Sequence, residues 1–201
     1  DAKTKRHATF LFQDKTWDSQ VDNENGNYDY LMGADLDFSN HRVVSELKRW
    51  GEWYLDTTHI DGFRLDAVKH INASFYQDWL YHMRQYTHQE LFTVGEYWHG
   101  DVQKLLQYLT EVNYSLSLFD VPLHYHFYGA SRSFGQYDMS QIFNNTLVQK
   151  ACMNAVTFVD NHDTQPQQGL QSWVLDWFKP LAYALILLRK DGYPCIFYGD
   201  Y

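Results

Sequence analysis

Three acidic side chains stand where a chain of alternating strands and helices gathers its chemistry: Asp66 in DGFRLDAVKH, Glu96 in VGEYW and Asp163 in TFVDNHD. Each lies at or just past the end of a short apolar run that reads as a strand. The separations, 30 residues and then 67, match about one and two strand–helix repeats. Arg64 lies two positions before Asp66, so strand alternation points both to one side and Phe63 and Leu65 to the other. A neighbouring guanidinium favours the ionised carboxylate, the form a nucleophile needs. The same spacing equally suits a structural Arg–Asp pair closing a barrel end. Glu96 shares its side with Val94 and is followed by Tyr97 and Trp98. An apolar, aromatic setting raises a carboxyl pKa and suits it to donate a proton. One carboxylate held ionised and one held protonated is the division used in retaining glycoside hydrolysis. His162 and Asp163 are placed to hydrogen-bond a sugar ring as positive charge develops, although a lone Asn-His-Asp is also ordinary turn composition.

The elements that must position these groups follow in regular order. Residues 1–38 are polar, aromatic and rich in Asn, Asp and Gly. A helix is expected from a cap at Ser39 or Asn40, with Val43, Val44, Leu47, Trp50, Tyr54 and Leu55 on its apolar face. Strands are expected in HIDGFRLDAV, LFTVGEYW, SLSLFDVPL, AVTFVD and YPCIFYG. Helices are expected between them: one from a Ser74/Gln77 capping box, one from Asp101, one from Asp138 through Leu147, and one over about 174–190. Repeated βα units imply a parallel sheet. No strand is followed by GxGxxG or a P-loop, which counts against a nucleotide-binding doubly wound fold. Strand-end carboxylates favour a (β/α)8 barrel, which brings the C-terminal ends of its strands around one mouth.

Composition narrows the partners. The chain has 201 residues, a formal net charge of −9 and 18% aromatic residues. An acidic balance disfavours nucleic acid and anionic membrane as partners, since both need a basic footprint, and fits a neutral substrate. The aromatic rings fit either a large core or a cleft on which sugars stack. Cys152 and Cys195 form no CxxC or zinc pattern and read as small core residues.

DGFRLDAVKH, VGEYW and TFVDNHD closely resemble three conserved segments of glycoside hydrolase family 13, the α-amylase family, in the right order and at the right spacing. NENGNYDYLMGADLDF resembles the end of the small domain these enzymes insert after the third barrel strand. The likeness is greatest to bacterial liquefying-type and intracellular α-amylases. It implies a (β/α)8 TIM barrel of which this chain covers about strands 4 to 8: residues 1–38 the end of the inserted domain, residues 39–201 partial catalytic barrel. The earlier barrel strands and a C-terminal β-domain are expected to lie outside the chain, and this stretch alone is expected to be inactive and aggregation-prone.

The resemblance also implies roles. Asp66 would be the nucleophile, Glu96 the general acid/base, and Asp163 the residue that distorts and stabilises the sugar. Arg64 would orient Asp66, and His162 would hold sugar hydroxyls. Lys69, His70 and Trp98 would line the cleft, with Glu24, Tyr28 and Leu31 on the inserted-domain side. Calcium would be bound by Asp29, Asp35 and the His70 backbone carbonyl, with Asp18 and Asp37 at a neighbouring cation cluster. Hard Ca²⁺ prefers such oxygen ligands. The implied activity is endo-hydrolysis of α-1,4-glucosidic bonds in α-glucans by a monomer, without nucleic acid or membrane partners. Secreted and cytoplasmic locations are both compatible. The alternatives are a transglycosylase or branching-type enzyme of the same family, and a non-catalytic sugar-binding relative, which would be expected to lack one of the three carboxylates.

Overall fold

The computed structural model describes residues 36–201. These fall into two compact units. The first comprises 36–61 and 68–91, the second 62–67 and 92–201.

The first unit is built on two helices, α1 (His41–Thr58) and α2 (Ala73–Thr87). Asn40 caps α1 by accepting from the Arg42 N–H, which settles the choice between Ser39 and Asn40. Asn72, not Ser74, caps α2. The expected capping box fails because an Asn two residues earlier already offers a carbonyl oxygen to the free N–H groups. The helices meet at Gly51, where a Cβ would collide with Trp79 and Met83. The Trp79 indole donates to the Leu47 carbonyl across this contact.

The second unit carries the sheet: β1 (Gly62–Leu65), β2 (Phe92–Gly95), β3 (Ser117–Phe119), β4 (Ala155–Phe158) and β5 (Tyr193–Cys195). All pairings are parallel and the spatial order is the chain order, β1-β2-β3-β4-β5. A doubly wound sheet reverses direction at a switch point; this one does not. Paired residues in parallel strands share a face. One face therefore carries Gly62, Arg64, Phe92, Val94, Ser117, Phe119, Val156, Phe158, Tyr193 and Cys195. The sheet is curled toward that face. Phe92 of β2 and Tyr193 of β5 meet edge-on with ring centroids 5.2 Å apart, although two strands separate them. Strands lie about 4.8 Å apart in a flat sheet, which would hold those rings roughly 14 Å from each other. The sheet is thus an arc of a barrel wall, and the shared face is its interior.

The five expected strands are all present, but one helix was misplaced. The helix after β3 is α4 (Val121–Arg132), capped by Asp120. Residues expected to end a strand form its cap and first turn, because Pro122 fits a first helical turn and not a strand. The expected helix from Asp138 is instead a 3-10 turn (Met139–Gln141) and a separate short helix, α5 (Leu147–Lys150). The remaining helices are α3 (Val102–Glu111), capped by Asp101 as expected, and α6 (Lys179–Leu187), shorter than the pattern implied. No helix among the described residues is long and apolar enough to cross a membrane.

Candidate active site

Asp66 and Glu96 follow the paired residues Leu65 and Gly95 at the C-terminal ends of two adjacent strands. Both continue the interior rows begun by Arg64 and Val94. The Glu96 N–H donates to the Leu65 carbonyl at 2.9 Å, which extends the ladder to the carboxylate itself. Arg64 spans both groups. Its Nη1 donates to Asp66 Oδ1 at 2.7 Å and its Nη2 lies 3.3 Å from Glu96 Oε1. Two carboxylates on neighbouring strands thus share one guanidinium.

Their surroundings differ sharply. The Asp66 side chain is 73% exposed and that of Glu96 only 8%. Burial pushes the Glu96 carboxyl above its ordinary range, Arg64 opposes that rise, and the charges of Asp66 and Asp163 add to it. Tyr97 falls on the outward row, where it packs against Tyr108 of α3 at 5.0 Å. Trp98 packs near Phe158 and His124, with its indole donating to the Tyr125 hydroxyl.

Between them, Ala67 adopts a left-handed backbone, φ 45°. This conformation is unfavourable for a residue with a Cβ, and such strain clusters at functional sites. Here it turns the Ala67 N–H toward Glu96 Oε2, at 3.4 Å.

Asp163 sits in the loop after β4, where His162 Nε2 lies 3.1 Å from its Oδ2. Asn161 shapes that loop by accepting the N–H groups of both Asp163 and Thr164. Asp163 is close enough for its charge to act on Glu96. Arg64, Asp66, Glu96, Trp98, His162 and Asp163 thus all belong to one unit. Lys69 and His70 lie in a 3-10 turn (Val68–His70) of the other unit, Lys69 buried and His70 exposed. Asp37 is described too; its Oδ1 accepts from the Ser39 N–H and hydroxyl. Asp18, Glu24, Tyr28, Asp29, Leu31 and Asp35 lie outside the described residues. Among the described residues no group of three or more His, Cys, Asp or Glu is placed to hold a metal.

Three buried polar groups escaped the sequence reading. Asp120 accepts N–H bonds from Leu123, Leu147 and Val148. His124 is fully buried, stacked on Phe158, with Nδ1 against the Val159 carbonyl and Nε2 against the Ser172 hydroxyl. Lys179 contacts Asp160 and Asp200. Pro122 beside Asp120 was a usable cap signal; the other two depend on tertiary neighbours that no local pattern announces.

The α-amylase catalytic-domain pattern matches residues 7–201. The chain belongs to the α-amylase family. It is 62% identical over 199 residues to an α-amylase of Geobacillus stearothermophilus and 56% identical over 200 residues to one of Bacillus licheniformis. It covers 36% and 39% of those proteins, which in turn match 99% and 100% of this chain. The cytoplasmic α-amylase of Escherichia coli is 53% identical over 184 residues, 92% of this chain and 37% of that protein. Among solved structures, an Anoxybacillus α-amylase superposes with a TM-score of 0.64 at 24% identity, over 83% of this chain and 37% of that one. That likeness is to part of a barrel fold, in agreement with the curled sheet. The chain thus spans well under half the length of these relatives, and its sheet is an arc of a (β/α)8 barrel.

Proposed function

We propose that this α-amylase family chain carries the catalytic residues of a retaining α-amylase, which cleaves internal α-1,4-glucosidic bonds in starch, glycogen and malto-oligosaccharides. The observation that carries the reading is the pair of unlike carboxylates on one guanidinium: Asp66 exposed to a substrate, Glu96 buried with its pKa raised. The relatives named as α-amylases support the same substrate class.

The residues take these parts. Asp66 attacks the anomeric carbon while Glu96 gives its proton to the departing glycosidic oxygen, leaving a glycosyl ester on Asp66. Glu96, now ionised, takes a proton from water, whose oxygen displaces Asp66 and restores both groups. Inversion occurs twice, so the product keeps the α configuration. Arg64 orients Asp66 and places positive charge where the ester's leaving carboxylate regains its negative charge. Asp163 and His162 bind sugar hydroxyls and strengthen that hold as oxocarbenium character develops. Trp98, Lys69, His70, Glu24, Tyr28 and Leu31 are assigned as further contacts to the substrate's sugars.

Residues 1–38 form the end of the inserted domain, and residues 39–201 the barrel part. Calcium is assigned to Asp29, Asp35 and the His70 carbonyl, with Asp18 and Asp37 nearby. The donor set is all oxygen, as a hard cation requires. When bound, the ion would supply structural cross-linking rather than chemistry.

The test uses the complete enzyme. Asp66→Asn should abolish turnover on soluble starch with folding intact, and an activated 2-fluoro glycoside should label Asp66 in the parent. Early products should be α-anomers by proton NMR. Retained hydrolysis in the variant, or β-anomeric early products, would overturn the assignment. Transfer products in place of new reducing ends would point instead to a transglycosylase.

A further inference from the structure

Lys179 occupies an unfavourable place. It is the first residue of α6, buried, at the positive end of the helix, with no acidic residue in the first turn to compensate. The helix dipole favours anions there and disfavours an ammonium. Two carboxylates from other segments meet it. Asp160 Oδ2 lies 3.1 Å from Lys179 Nζ, and Asp200 Oδ1 is in direct contact with it. The ammonium also sits over the Trp173 ring, 3.0 Å from its centroid.

Each carboxylate is tied further. Asp160 accepts from the Thr164 hydroxyl at 2.8 Å and from the Val174 N–H at 3.2 Å. Asp200 accepts from the Tyr183 hydroxyl at 2.7 Å. Asp160 and Thr164 bracket the segment Asn161–His162–Asp163. The carboxylate that closes this bracket is the one Lys179 holds. Asp200 lies in the 3-10 turn after β5 (Tyr198–Asp200). The lysine therefore ties the loop after β4 to the loop after β5.

We infer that Lys179 is a positioning residue for the glycosidase reaction: by bridging Asp160 and Asp200 it fixes the loop that presents His162 and Asp163 to the sugar. This rests on the function proposed above. A residue that only held the fold together would affect melting and not the turnover of folded molecules. A positioning residue loses turnover even when folding is complete, because small misplacements of a group that acts in the transition state are costly.

The experiment compares the complete parent enzyme with Lys179→Met and with the double variant Lys179→Met/Asp200→Asn. The single variant leaves two carboxylates without their cation and is the one at risk of misfolding. The double variant removes one charge of each sign, so the cluster keeps its net charge, and the new amide still accepts from Tyr183. Kinetics are measured well below each variant's melting temperature, with the folded fraction read by near-ultraviolet circular dichroism. The expected result for the double variant is a fall in kcat of about tenfold or more, with KM changed by less than about twofold. The alkaline limit of its pH–rate profile should stay in place, because Glu96 stands on a different strand. Parental kcat in a folded variant would overturn the positioning role while leaving the enzyme assignment intact. A parent inactive on α-glucans would overturn the assignment and, with it, this inference.

Discussion

Arg64 Nη2 lies 3.3 Å from Glu96 Oε1, so the guanidinium that binds Asp66 also restrains the proton affinity of its neighbour. Burial raises the Glu96 pKa and Arg64 lowers it. If Glu96 is the general acid, kcat/KM falls as pH rises through that pKa. Arg64→Met removes the opposing charge, so the alkaline limb should move to higher pH. Asp66 simultaneously loses its orienting donor, and kcat/KM at the optimum should drop by about 10²–10³. The check is a pH profile of kcat/KM for both proteins. An alkaline limb that stays put would show that another group sets it.

His124 predicts how stability depends on acid. Burial holds its pKa down to about 4 against an ordinary 6.5, in spite of the bond to the Val159 carbonyl. The neutral ring donates from Nδ1 to that carbonyl and accepts the Ser172 hydroxyl at Nε2. A depressed folded pKa contributes stability that is complete above pH 6.5 and lost as pH falls through about 4. The swing is about 3 kcal/mol, at about 1.4 kcal/mol per unit. Asp160 runs the other way. Its pKa is pushed up to about 6 by burial, so its contribution is present below about 3.8 and lost as pH rises through about 6. His124→Asn keeps a donor for Val159 but removes the titration. The variant should be less stable at pH 7 by about 2–4 kcal/mol, yet lose much less on acidification. Urea melts of parent and variant at pH 7 and 4.5 measure both quantities. Equal acid losses would exclude His124 as the source.

Gly62 predicts a dependence of chemistry on strand register. A Cβ at this position would sit inside the contact radius of the Phe92 carbonyl oxygen and close to the rest of the Phe92 backbone. Backbone cannot swing aside as a side chain can, so Gly62→Ala must push β1 away from β2. The shift travels to the other ends of the same strands, where Asp66 and Glu96 share Arg64. The variant should lose about 10²-fold in kcat and melt lower. Differential scanning calorimetry and steady-state kinetics on the complete enzyme separate the two effects. An alanine variant with parental kcat would show that the carboxylate pair tolerates such a displacement.

The strands that carry the paired carboxylates were legible because a strand has a period of two and its polar interruptions stand out. Arg64 and Asp66 against Phe63 and Leu65 define the inward row without any coordinates. Order and spacing carried the barrel, and the curled contact of Phe92 with Tyr193 bears it out. The helix after β3 was missed, since the apolar run SLSLF resumes at Val121–Leu123 after a single charged residue, Asp120. Only the cap at Asp120 and Pro122 marks the turn from strand to helix. The bracket around Asp163 was hidden for another reason. Asp160, Val174, Lys179 and Asp200 meet only when β4, α6 and β5 are folded together, and a lysine opening a helix gives no sign of the carboxylates it will find.

The interior and exterior rows of β1 and β2 have a consequence for how such a protein can change. Arg64, Asp66, Val94 and Glu96 occupy one row, and Phe63, Leu65, Thr93 and Gly95 the other. Substitutions in the second row change what packs outside the sheet without replacing any group that faces the interior. A one-residue deletion between Phe92 and Glu96 is different in kind. It would carry the Glu96 carboxyl to the wrong side of the wall at a stroke, with all three proposed catalytic residues still present in the chain.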